Sequence, residues 1–165
     1  MNPLILMAII GLAPVLLIVL VRVKAAFVFM SLAVGVILSN YVGDTALDMV
    51  QTFVKGYNST TQSIVQIGLL IVPVLLTLLF LNRSLSSNKT IINIFPALLT
   101  GVSVLFLVVP LLPPGTSSGI YGNDIWVQLS SYQAALISGA ALISLAQLWG
   151  SGHGGKDKDK KKKKH

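Results

Sequence analysis

Apolar residues run through this chain in five long stretches, and polar residues collect in the segments between them. The stretches are Leu4–Val21, Ala25–Val42, Ile64–Leu81, Ile91–Leu112 and Ile125–Trp149. A helix needs about 20 mostly apolar residues to cross a bilayer, so each stretch is read as one transmembrane helix. The pattern predicts an all-α fold: a polytopic helical bundle of five spans over 1–149, then a flexible Gly/Ser linker and polybasic tail over 150–165. The first two stretches cannot form a single helix. At 1.5 Å per residue it would be about 57 Å long, against a hydrocarbon layer of roughly 30 Å. A break is required at 22–24, although neither Gly nor Pro marks a turn there.

The segment after the second span has a different rhythm. Ala46, Val50, Phe53 and Tyr57 recur at helical spacing, with Leu47 and Val54 on the same side. Asp48, Gln51, Thr52 and Lys55 lie away from it. This predicts a short amphipathic helix on the membrane surface, N-capped by Asp44. The segment PPGTSSGIYGND at 113–124 is rich in turn formers and predicts a loop. The fifth stretch is the most polar, but its Gln and Ser residues scatter around the helix rather than forming one face. That distribution favours a span over an interfacial helix. Trp126 and Trp149 bracket it about 34 Å apart, a separation suited to two aromatic belts.

Charge orients the spans. Of 165 residues only 10% are charged, and Glu and Cys are absent; soluble domains average about 25% charged. No disulfide or thiolate chemistry follows from such a chain. The net charge of +7 is uneven. Residues 1–155 carry five Lys or Arg and three Asp, and residues 156–165 carry seven Lys and two Asp. With five spans and the N-terminus outside, the inner segments 22–24, 82–90 and 150–165 hold eleven of the twelve basic residues. The outer segments hold Lys55 with Asp44, Asp48 and Asp124. This alternation follows the positive-inside rule. It predicts an N-terminus outside and a cytoplasmic C-terminus; the expected location is a plasma (inner) membrane. The N-terminal MNP carries no basic residue ahead of the first apolar run, which favours an uncleaved anchor.

Three ridges of small residues recur at i, i+4: Ser31, Gly35 and Ser39; Ala97 and Gly101; and Ser131, Ala135 and Gly139. Such ridges let helix backbones approach closely, within one bundle or between copies. Pro14, Pro73 and Pro96 fall inside spans and are read as helix kinks that neighbouring helices and hydroxyls accommodate. No Asp, Glu, His, Lys or Arg lies within any span, whereas ion and proton pathways usually rely on such groups. Asn93 and the scattered Ser, Thr and Gln residues are read as interhelical hydrogen-bonding groups. No protease, hydrolase or nucleotide-binding motif occurs. GHGG at 152–155 reads as linker, and His153 alone makes no metal site. The acceptor pattern NST places Asn58 in an outer segment.

In the tail, Lys160, Lys161, Lys162, Lys163 and Lys164 are consecutive and have no apolar partners. They anchor the topology and suit contact with anionic lipid headgroups, at about 1 kcal/mol per basic residue near the surface. No aromatic residue interleaves with them, which disfavours nucleic acid.

In outline the chain resembles the colicin V production family of small bacterial inner-membrane proteins. The likeness lies in a tight early hairpin around VRVKAAF, an amphipathic stretch after the second span and two further spans, over about 1–112. It implies no site residues here. The expectation is a non-enzymatic accessory or scaffold subunit of a membrane-embedded complex, without cofactor or metal. Its partners would be the bilayer and either another protein or further copies of itself. The alternative is an oligomeric transporter or channel subunit.

Overall fold

A computed structural model describes residues 2–53, 58–81 and 90–153. The described residues are helical and contain no strand. The elements are α1 (Pro3–Val21), α2 (Ala25–Phe53), α3 (Ser59–Phe80), α4 (Thr90–Val108), α5 (Pro114–Tyr121), α6 (Asp124–Ser131) and α7 (Gln133–His153), with a 3₁₀ turn at Val109–Leu111. Four helices are long and apolar enough to cross a membrane: α1, α2, α3 and the Asn93–Leu111 stretch. The pair Asp124–Ser131 and Gln133–Trp149 passes the same test of length and apolarity only when taken together, and it is bent by 57° at the break, so the described residues hold four such helices, or five if that pair is one span.

The starts of α1 and α3 follow local capping chemistry. Asn2 Oδ1 accepts from Leu4 N at 3.0 Å, with Pro3 in the first turn, where its missing N–H leaves no bond unmade. Asn58 Oδ1 accepts from Thr61 N at 3.0 Å and from Thr61 Oγ1 at 3.2 Å, so the acceptor-pattern asparagine is the N-cap of α3.

The helix α4 sits at the centre. Half of its span is buried, against 17% for α1 and for α3. It packs on α1, α2 and α7, while α2 packs chiefly on α3. The outer surface is apolar: Leu20, Leu79 and Phe80 are each about three-quarters exposed or more. A surface of that kind suits lipid rather than water.

Three expectations are corrected. First, residues 44–53 form no separate surface helix, because α2 continues unbroken to Phe53. At 1.5 Å per residue it is about 43 Å long and outruns the hydrocarbon layer. Asp44 lies inside it, exposed, and so caps no helix. Leu47 is buried, but Phe53 is 87% exposed, so the expected apolar face is only partly covered; Val54 and Tyr57 lie outside the described residues. Gly43 is buried, and Gln66 Cγ lies 3.9 Å from where its Cβ would stand. Packing on α3 therefore carries the helix past a position that local chemistry reads as a start. Second, the 113–124 loop contains α5, opened by Pro114 at a position where proline is pre-organised for helix. Third, the fifth span is two helices. Ser130 Oγ donates to Val127 O at 2.9 Å, and Ser131 Oγ donates to Gln128 O at 2.7 Å. Such local bonds compete with the helical ladder. Tyr132 leaves it, with φ −101° and ψ 6°.

The first two corrections leave the direction of the spans intact. The α1–α2 turn, Leu81, Asn93 and Gln147 gather at one end, here the basic end. Trp126, Ile120 and Val109 gather at the other, the aromatic end. The helix α7 runs from Leu136 and Ile137 in the aromatic cluster to Gln147 beside Asn93.

Candidate functional site

The basic end is built from LIVLVRVKAAF. The helix α1 ends in a Schellman motif, in which the residue after the last turn adopts a left-handed conformation. Arg22 occupies that position, with φ 55° and ψ 45°. Val23 N donates to Ile18 O at 3.2 Å, and Arg22 N donates to Val19 O at 3.3 Å. Val23 and Ile18 are both fully buried in one packed group, the apolar contact that accompanies this motif. Arginine here costs about 1–2 kcal/mol that glycine would not.

The other half of the turn is secured from 70 residues away. Asn93 is buried at the start of α4. Its Nδ2 donates to Val23 O at 2.8 Å, and its Oδ1 accepts from Ala25 N at 3.0 Å. One amide thus satisfies both backbone groups where the chain reverses and caps the start of α2. Gln147 Nε2 donates to the same Asn93 oxygen at 3.4 Å, tying α7 to the clamp. Lys24 Nζ lies 5.8 Å from the centroid of the Phe27 ring, within cation–π reach.

The predicted ridges meet different fates. Ser31, Gly35 and Ser39 are buried, and a Cβ on Gly35 would collide with the carbonyl oxygen of Leu70. Gly35 is therefore the α2–α3 crossing point. Ala97 and Gly101 are buried, and a Cβ on Gly101 would meet Gly11 O and Val15 Cγ2. They form the α1–α4 crossing. The third ridge meets no helix of this chain. Ser131 and Ala135 are exposed, and nothing lies within 4 Å of a Cβ on Gly139. The break at Tyr132 places Ser131 on α6, so it no longer shares a face with Ala135 and Gly139 on α7.

The helices continue through Pro14, Pro73 and Pro96. Thr100 Oγ1 donates to Pro96 O at 2.9 Å, and Ser103 Oγ donates to Leu99 O at 2.9 Å. Trp126 is not in an aromatic belt. It is buried, 5.7 Å from Phe106 and 5.8 Å from Tyr121 between ring centroids. Trp149 is 78% exposed. Lys160 to Lys164 lie outside the described residues, as do Arg83, Lys89 and Lys55. Sequence reasoning assigned Asn93 to interhelical bonding but did not find its partners. The available signal was a lone amide near the start of an apolar span, opposite a glycine-free turn.

Compared with protein-family models, curated proteins and solved structures, the chain matches none. The outline likeness to the colicin V production family gains no support from this, and the separate amphipathic helix on which it partly rested is absent.

Proposed function

We propose that this chain is a multi-pass integral membrane protein acting as a non-catalytic accessory or scaffold subunit of a membrane-embedded complex. One observation carries the reading: five buried polar side chains are bonded to the bundle's own backbone. Asn93 holds the turn, and Ser31, Ser63, Thr100 and Ser103 each donate to a carbonyl three or four residues back. The small-residue ridge on α7 faces outward, where a partner helix can approach closely.

The break between α6 and α7 favours the second reading, a transporter subunit, because transporters use discontinuous helices at their binding sites. Those sites lie near the bilayer midplane, whereas this break lies by the aromatic cluster at one end. Purified in mild detergent, the protein should carry a partner at fixed stoichiometry. Reconstituted alone, it should leave vesicle permeability unchanged. A homo-oligomer that passes small solutes would overturn the scaffold reading.

The orientation we propose puts the aromatic end outside and the tail in the cytoplasm, in a plasma (inner) membrane, with the lysines on anionic headgroups. Its support is the positive-inside alternation. The native chain has no cysteine, so single cysteines give clean labels. Ser59→Cys and Ser118→Cys, both exposed, should react with an impermeant reagent in intact cells. Ser151→Cys should react only after permeabilisation. Labelling of Ser151→Cys in intact cells overturns the orientation.

A further inference from the structure

A cleft of about 240 Å³ opens between α1 and α3. Pro14 and Leu17 stand on one side, Leu75 and Leu78 on the other, and Val28 and Leu32 contribute to its floor. No polar atom is exposed in its wall. Water needs two to four polar partners to reside in a cavity, so the occupant of this cleft is apolar. The cleft is elongated: between Ile9 and Leu17, both in its wall, α1 rises about 12 Å.

Its basic end abuts the α1–α2 turn. Val28, Val74 and Leu78 line the cleft and pack in the group that also holds Val21, Val23 and Leu81. Val21 lies one helical turn beyond Leu17, and Arg22, which is exposed, follows it directly. Lys24 precedes Val28 by four residues, one turn above the cleft floor. An apolar chain in the cleft would therefore carry its head to a site flanked by two cations. We infer that the α1–α3 cleft binds one anionic phospholipid, with an acyl chain between the helices and its phosphate at Arg22 and Lys24. This site is separate from the lysine tail and needs both chain and charge. It holds whether the protein is a scaffold or a transporter.

The test uses the full chain in detergent with a phosphatidylglycerol bearing a photoactivatable group midway along one acyl chain. Adducts should map to Ala13 and Leu17 of α1 and to Val74, Leu75 and Leu78 of α3. Unlabelled phosphatidylglycerol should suppress them, and phosphatidylcholine with the same chains should not. Arg22→Gln combined with Lys24→Gln should weaken cleft labelling about 30-fold, from about 1 kcal/mol for each basic residue. Ala13→Phe fills the cleft from an exposed position, so folding should survive. It should abolish the cleft adducts while leaving salt-sensitive binding through the tail. Three results overturn the site: labelling spread equally over the outward Leu12, Leu16 and Leu20, equal competition by phosphatidylcholine, or undiminished labelling of the Arg22/Lys24 double variant. A second copy seated in the cleft would instead give disulfide dimers of Leu75→Cys and no adduct, which also overturns it.

Discussion

The two ends of the bundle are fastened by different means. At the basic end, one buried amide makes two backbone hydrogen bonds across the α1–α2 turn. At the aromatic end, Trp126 meets Phe106 at a tilt and Tyr121 edge-to-face, at centroid separations of 5.7 and 5.8 Å, amid Met7, Leu105 and Ile120. In lipid these are unequal devices. Apolar contact inside the bundle competes with lipid chains that are equally apolar. A backbone group stranded without a partner costs several kcal/mol, because no water replaces the lost bond. The basic end should therefore hinge on one residue, and the aromatic end should spread its stability over many.

Replacing the amide tests this most severely. Asn93→Leu keeps much of the side-chain volume but strands Val23 O and Ala25 N. At about 1–3 kcal/mol for each buried unsatisfied group, the expected loss is about 2–6 kcal/mol. Thermal unfolding in detergent measures it, and protease cleavage near Lys24 should rise. If the loss is no larger than for a ring substitution at the other end, the contrast between the ends fails.

Between the ends, the crossings set the next level. Gly35→Leu drives a side chain into the Leu70 carbonyl, and overpacking of this kind costs about 1–3 kcal/mol or more. Gly139→Ala should be neutral or raise helix stability by up to about 1 kcal/mol, since glycine is the weaker helix former and nothing crowds the site. Gly35→Leu should unfold below the parent's temperature, and Gly139→Ala at or above it. A marked loss of oligomer or partner in Gly139→Leu, with the monomer still folded, would identify that open ridge as an intermolecular contact.

At the aromatic end, Trp126→Leu removes two ring pairs at about 0.5–1.5 kcal/mol each. Near-ultraviolet circular dichroism should lose its Trp126 contribution while helix content stays constant. Collapse of the whole bundle would show that this end, too, depends on one residue.

The contrast also explains what could be read from the sequence. The spans were legible because about 20 apolar residues are a length requirement of the bilayer itself. Which face of each span is buried was less legible, because lipid and core are equally apolar and leave the same pattern. Trp126 at the start of a span looks like an interfacial anchor but lies in the core. Small residues revealed two of three crossings, at Gly35 and Gly101, because close backbone approach admits few residue types. The same signal pointed to Ser131, Ala135 and Gly139, where the helix break takes Ser131 off the ridge and nothing lies within 4 Å of a Cβ on Gly139. Asp44 carried the chemistry of a cap, yet tertiary packing at Gly43 and Leu47 continued the helix through it. The clamp was the least legible feature, since its bonds span 68 and 70 residues.

The smallest expected effect concerns the strained residue of the basic end. Arg22 is the one non-glycine residue with positive φ among those described. A left-handed conformation costs an L-residue about 1–2 kcal/mol, and glycine gives back about 0.5–1 kcal/mol through its greater loss of chain entropy. Arg22→Gly should therefore stabilise the turn by about 0.5–1 kcal/mol, while Arg22→Ala keeps the strain. Both variants lose the same charge, so the difference between them isolates the backbone term from any contribution of bound anionic lipid. Measured by thermal unfolding in lipid-free detergent, Arg22→Gly should unfold at the higher temperature. Equal temperatures would mean that the reversal is not held left-handed at residue 22. The Asn93 amide would then be the sole device closing the basic end, and the difference between the ends would be sharper still.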